Sequence, residues 1–284
     1  MNGMTDRPDI TLACCGLIGT LVADDGLVER SYAEAIATQG VVSGTSAFAR
    51  RMAQVHRARG RSAGGVLRLL FPDNEARAQA AELAFDRALA DAIGRVAMRP
   101  LHGALDVLDQ LRASGIRVCV LTSLSRRVLD LVVDAAGLGS HTDLGLSGSD
   151  DDVRRGFPAP DLILQAVLQT GAASVGEVAV IHSTGAGVES GSRSGASIVA
   201  GVLSGPHSAR RLREAGATHI LGSIADLPRL LRLEIGADRM RGSAVAQNGD
   251  SGRLQPLRTG PAQPDSPGVS VPPQVPLESR ISDL

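Results

Sequence analysis

The chain has 284 residues and carries 29 basic against 30 acidic side chains, a formal net charge of -1. That length allows one large or two modest domains with a real core, and the near-neutral balance, with no dense run of cations, excludes the electrostatic footprint of a protein that grips nucleic acid by its phosphates. Every basic residue counted in that charge is Arg, so no lysine amine is present for imine chemistry, and with 2% aromatic residues and no Trp the core must be aliphatic.

Residues 10 to 18 form a short apolar run closed by Gly19-Thr20, which predicts a buried strand ending in a turn. Cys14 and Cys15 lie inside it, and Cys119 lies in a later apolar run. Three thiols in such settings point to a reducing compartment rather than a disulfide framework. From Leu27 to Val96 the apolar residues recur at helical spacing, as in Phe48-Met52-Val55. After Arg99-Pro100 helices at 101–114, 125–137, 159–170, 186–194 and 206–215 alternate with strands at 116–121, 143–146, 178–181 and 197–203. Such alternation predicts right-handed crossovers and a mostly parallel sheet.

The expected architecture is therefore a Rossmann-like α/β core built from 9–25 and 99–235, with an all-helical insert at 26–98. Between Pro256 and Pro276 stand seven of the fourteen prolines, among Gly, Ser, Gln and Asp. A segment of that composition cannot bury enough apolar area to offset its ordering entropy, so 236–284 is expected to be disordered. No signal-like start is evident, and the apolar stretches fall short of the roughly 20 residues that span a bilayer. A soluble, cytoplasmic protein with no membrane or nucleic-acid partner is expected.

Ligands of open parallel sheets sit beyond the carboxyl ends of the strands. Four segments occupy those places: Gly16-Leu17-Ile18-Gly19-Thr20, Thr122-Ser123, Arg154-Arg155-Gly156-Phe157-Pro158, and His182-Ser183-Thr184-Gly185. Together with LIGTLVADDG (17–26), IRVCVLTS (116–123), GFPAPDLIL (156–164) and VAVIHSTGAGVESGSRSGA (178–196), their order and spacing resemble the haloacid dehalogenase superfamily, in particular its phosphonoacetaldehyde hydrolase-like branch with a helical cap.

That resemblance implies a nucleophilic Asp at the end of the first strand, a hydroxyl residue in the second loop, a basic residue in the third, and magnesium-binding carboxylates in the fourth. Counting back from Gly19-Thr20 puts the nucleophile position at Gly16, with Ile18 also inside the motif. Thr122 retains the second-loop hydroxyl, Phe157 stands at the basic position, and Ser183 and Gly187 stand where carboxylates are expected. The cap segment GRSAGGVLRLL (60–70) resembles the one that carries an imine-forming Lys in true phosphonoacetaldehyde hydrolases, with Ala63 in its place. Phosphoryl transfer by that route needs an attacking carboxylate, oxygen ligands for Mg²⁺ and a cation on the equatorial oxygens. The expectation is a catalytically inactive relative with no cofactor, acting by binding a ligand or a partner.

Five hydroxyls, Thr20, Thr122, Ser123, Ser183 and Thr184, are candidates for a residual anion pocket that takes a phosphate-containing small molecule without metal. The plainer alternative is that they cap helices and turns. The other functional class is a hydrolase of a small phosphorylated or phosphonate metabolite with relocated chemistry. It would use a Cys15-His182 pair, or Mg²⁺ on Asp24 and Asp25 or on Asp150-Asp151-Asp152. Against it, neighbours on a strand face opposite ways, and charge runs in loops are ordinarily solvated. Arg154-Arg155 could replace the lost cation or simply face water. The apolar faces of the insert are core between helices, with pairing to a second copy or an active paralogue as the functional alternative.

Overall fold

The computed structural model describes residues 9–233; the segment expected to be disordered, 236–284, lies outside the described residues. Six strands, β1 (Leu12–Gly16), β2 (Arg117–Thr122), β3 (Leu144–Ser147), β4 (Val178–His182), β5 (Ile198–Val202) and β6 (His219–Leu221), form one sheet in the order β3-β2-β1-β4-β5-β6. Every pairing is parallel. All five residues of β1, Leu-Ala-Cys-Cys-Gly, are buried, as a strand covered on both faces requires. The sheet changes winding direction between β1 and β4, and that switch point is where doubly wound sheets open a crevice.

Period-two alternation divides the sheet into two apolar sides. Ala13 and Cys15 of β1 join Val118, Val120 and Ile181 in a cluster completed by α5 (Ala104–Ala113) and α6 (Arg126–Ala135). Leu12 and Cys14 join Cys119, Leu121 and Val180 in a second cluster, under α7 (Asp161–Thr170). Helices α8 (Gly185–Ser194) and α9 (Ala209–Glu214) pack on β5 through Val188, Val199 and Leu212.

Between β1 and α5 the chain forms α1 (Leu27–Thr38), α2 (Ser46–Ala58), α3 (Ala63–Leu70) and α4 (Glu75–Arg95). Thr45, Ser62 and Asn74 cap α2, α3 and α4 by accepting backbone N–H groups, which satisfies donors that a helix start otherwise leaves open. Tyr32 on α1 meets Phe85 on α4 with ring centroids 4.2 Å apart. The α4 helix also packs against α6 and so ties the four helices to the sheet. Two small elements lie beyond the sequence expectation, β6 and α10 (Leu227–Leu231). Three residues of edge strand are too few for a period to show. Among the described residues no helix is long and apolar enough to cross a membrane.

Candidate functional site

The carboxyl ends of β2, β1 and β4 bring Thr122, Gly16 and His182 side by side at the switch point. After Gly16 the chain turns tightly: Gly19, at φ +81°, donates its N–H to the Val22 carbonyl at 2.7 Å. That conformation suits glycine, which has no Cβ to strain it. The turn aims Thr20 at the fourth loop. Thr20 Oγ1 donates to Ser183 Oγ and accepts the Ser183 N–H, both at 3.1 Å, and both residues are fully buried. These two hydroxyls bond one another and hold two loops together.

His182 decides the chemistry of the crevice. A Cβ on Gly16 would lie 2.9 Å from His182 Cδ2 and Nε2 and 2.8 Å from Thr20 Oγ1, and a Cβ on Gly187 would overlap the same imidazole. The ring therefore occupies the space that any side chain at either glycine would need. Its Nδ1 accepts the Thr184 N–H at 3.1 Å, so the neutral ring carries its proton on Nε2. Burial, with a smaller contribution from nearby His207, pushes its pKa down to about 4. At neutral pH His182 is an uncharged group that fills space and offers one N–H.

Phe157 closes the site from the third loop. It is buried and meets the His182 ring edge-on, with centroids 5.1 Å apart, an arrangement favoured by the aromatic quadrupole. Two rings thus meet edge to face in the region where the family resemblance implies carboxylates and a cation.

The helical insert covers what remains. At the end of α2, Arg59 is 8% exposed and pairs with Asp24 at 2.5 Å. The following Gly60, at φ +92°, lies against Thr184 so closely that a Cβ would overlap its hydroxyl. Under this loop a cavity of about 50 Å³ is lined by Arg59, Arg61, Thr122, Ser123, His182 and Thr184, with Leu17, Ile18 and Tyr32 as apolar walls. That is room for about three or four waters. The polar lining consists of donors and hydroxyls, with no carboxylate.

Thr122, Ser123 and Thr184 of the hydroxyl set reach this cavity, whereas Thr20 and Ser183 do not line it. Thr122 Oγ1 accepts the Leu124 N–H at 3.2 Å, and Thr184 Oγ1 caps α8 by accepting the Gly187 N–H at 3.2 Å, so both also serve the plainer role. The Cys15-His182 pair does not form: Cys15 faces the Ile181 side of the sheet, while His182 stacks on Phe157 beyond the Cys14 side. Burial also drives the Cys15 thiol far above the ordinary range, which removes the thiolate a nucleophile needs.

Asp24 and Asp25 are not a metal pair, because Asp24 holds Arg59 and the Val28 N–H and Asp25 pairs with Arg99 at 3.0 Å. Asp150 is held by Arg126 and accepts the Ser147 N–H. Arg155 is exposed and pairs with Asp161, and Arg154 is also exposed. Ala63 is buried at the start of α3, outside the cavity lining. Among the described residues no group of three His, Cys, Asp or Glu side chains could hold a metal ion. The donors in this crevice therefore do not fit Mg²⁺, a hard cation that binds through carboxylates, and the neutral imidazole is a poor ligand for it.

Arg59, Gly60 and Arg61 are site residues that sequence reasoning missed. Arg59 is one cation among many, and nothing local distinguishes a buried arginine from a solvated one. Arg-Gly-Arg-Ser (59–62) between two helical patterns marks a loop, but not the surface it touches.

A model of the haloacid dehalogenase-like hydrolase family matches residues 14–195. The phosphonoacetaldehyde hydrolase of Salmonella agona is 27% identical over 154 residues, 46% of this chain and 57% of that protein, so the chain spans little more than half the length of this curated relative. A phosphonoacetaldehyde hydrolase like protein from Oleispira antarctica superposes with a TM-score of 0.69 at 19% identity, over 88% of this chain and 99% of that one. A hydrolase from Pseudomonas syringae superposes with a TM-score of 0.68 at 24% identity, over 78% and 98%. Both superpositions establish the shared fold.

Proposed function

Since the chain belongs to the haloacid dehalogenase-like hydrolase family, we propose that it is a non-catalytic member that binds a small phosphate-bearing anion in the cavity between its helical insert and its sheet. The observation that carries this reading is the position of His182, whose ring takes the space beside both Gly16 and Gly187. A nucleophilic carboxylate at the end of β1 and a metal-binding one at the start of α8 would each collide with it. The replacements are coupled through one side chain. Independent decay of several loops has no reason to produce two glycines facing one imidazole.

Binding is supported by what survives. Arg61 is exposed beside the cavity, Arg59 is buried over it, and Ser123 and the His182 Nε2–H add donors. Charge-assisted bonds from guanidinium to phosphate oxygens are among the stronger polar contacts. The curated relatives named phosphonoacetaldehyde hydrolase make phosphonoacetaldehyde the first compound to test for turnover.

Purified protein is expected to release no phosphate from phosphonoacetaldehyde or from a panel of phosphate esters, with Mg²⁺ or with chelator. It is expected to melt at higher temperature in inorganic phosphate than in chloride of equal ionic strength, as ligand binding to the folded state requires. Turnover that follows the protein through purification and needs Mg²⁺ would overturn the non-catalytic reading. An unchanged melting temperature in phosphate would overturn the binding reading alone.

A further inference from the structure

The cavity beneath the cap loop gathers hydrogen-bond donors that the protein itself leaves unused. Tyr32, on α1, meets Phe85 with its ring and lines the cavity at 3% exposure. Its Oη has no hydrogen-bond partner among the described residues, and burial holds the phenol far above its ordinary range, so the proton stays on. Arg59 uses one Nη on Asp24, and its other N–H groups have no partner among the described residues. Thr122 Oγ1 already accepts the Leu124 N–H, which leaves its hydrogen to give. His182 carries its proton on Nε2, because Nδ1 accepts the Thr184 N–H and lies 3.1 Å from the Thr184 hydroxyl. These donors come from α1, the cap loop, the end of β2 and the end of β4, and all line one space of about 50 Å³.

The balance of protons in that space is one-sided. No carboxylate lines it, and the acceptor nitrogen of His182 is taken. A hydroxyl can accept as well as donate, yet Tyr32 or Ser123 in the accepting role would have to send its own proton elsewhere, and no lining side chain is an acceptor only. A tetrahedral oxyanion with every oxygen bare meets all of these donors. One that carries a hydrogen adds a further donor, and a buried donor without a partner is costly. The charges around the space are Arg59 with its partner Asp24, exposed Arg61, and Glu82 and Asp86 on α4, which act on Tyr32. His182 is neutral, with His207 acting on it from the far side of α8.

Resting on the anion-binding reading above, we infer that the cavity selects an oxyanion carrying no proton, the fully ionised form of an organic phosphate or phosphonate, over its protonated form and over hydrogen phosphate, and that Tyr32 Oη is one of the donors that hold it. The pH dependence of binding then comes from the ligand. A phosphate monoester, whose second pKa is about 6, is bare at pH 8 and about nine-tenths protonated at pH 5. Sulfate is bare at both and is the reference for anything that titrates in the protein.

The test is isothermal titration calorimetry on the full chain with sodium sulfate, methyl phosphate and inorganic phosphate, at pH 8 and pH 5 and at equal ionic strength in chloride. At pH 8, where all three are doubly charged, sulfate and methyl phosphate are expected to bind about tenfold more tightly than inorganic phosphate. Between pH 8 and pH 5 the ratio of the methyl phosphate Kd to the sulfate Kd should rise about tenfold. Tyr32→Phe keeps the ring on Phe85 and should weaken sulfate about tenfold at pH 8, whereas a phenol that served packing alone would change the melting temperature and leave the Kd where it was. Equal Kd values for sulfate and inorganic phosphate at pH 8, or a ratio that stays constant down to pH 5, would overturn the selection and leave anion binding in place. An unchanged sulfate Kd in Tyr32→Phe would remove Tyr32 from the site. No binding heat with any of the three, together with an unchanged melting temperature, would overturn the anion-binding reading and this inference with it.

Discussion

The crevice at the carboxyl edge of the sheet has two unlike halves. Over β1 and β4, the rings of His182 and Phe157 fill the region, and Thr20 and Ser183 bond each other. Over β2, beneath Arg59 and Arg61, a cavity remains, lined by Thr122, Ser123 and Thr184. The filled half is where reacting groups of a transfer enzyme converge, and the open half is where a ligand can still be held. On the proposed reading, occupation of space bars transfer chemistry as firmly as absence of a functional group does.

The largest expected effect comes from forcing a carboxylate back into the filled half. Gly16→Asp combines overpacking with a buried, unpaired charge and should lower stability by about 4 kcal/mol or more, read as a drop in the urea midpoint. His182→Gly empties the space, so the double variant should lose clearly less than the sum of the two single losses. Additive losses would mean that His182 is not the obstacle.

Acid comes next. The buried His182 has its pKa lowered to about 4 from an ordinary 6.5, so the unfolded chain binds the proton more readily. Its contribution is complete above pH 6.5 and is lost as the pH falls from 6.5 toward 4, by about 3 kcal/mol. Lowered His207 adds loss of the same sign. Urea titrations at pH 7, 5.5 and 4 measure the slope, and His182→Gln should flatten most of it.

The pair above the open half ranks third. Arg59→Met leaves the largely buried Asp24 without its cation and should cost about 2 kcal/mol. Reciprocal rescue by Asp24→Asn in that background would show the cost to be an unpaired charge rather than lost packing. The smallest stability effect belongs to Ser123→Ala, within about 0.5 kcal/mol. It should nevertheless weaken the phosphate-induced rise in melting temperature. Equal phosphate shifts in Ser123→Ala and wild type would put the ligand elsewhere.

Much of the fold was readable in the residues themselves. Apolar runs ended by turn residues marked β1 to β5, and helical spacing marked α1 to α9, because burial on a strand or helix imposes a period on the chain. The crevice was equally readable, since the strand-end loops supply it. Less was legible about how those residues meet. Thr20 and Ser183 looked like ligand hydroxyls and turned out to bond each other across 163 positions. Asp24 looked like a free acid and holds an arginine 35 residues away. Cys15 and His182 lie on opposite faces, as strand alternation had argued.

Sequence alone determined the parallel α/β core and the helical insert after the first strand, because these follow from periodicity, whereas the carboxylates expected at Gly16, Ser183 and Gly187 are what the family resemblance implies. Only the tertiary structure decided what took their place. A glycine records the absence of a side chain but not which neighbour enters the space, and the imidazole of His182 reaches Gly16 because two distant strands pair in one register. Closure of the cavity by Arg59 and Gly60 was likewise decided in three dimensions, since steric fit and charge pairing depend on distances that chain order does not specify.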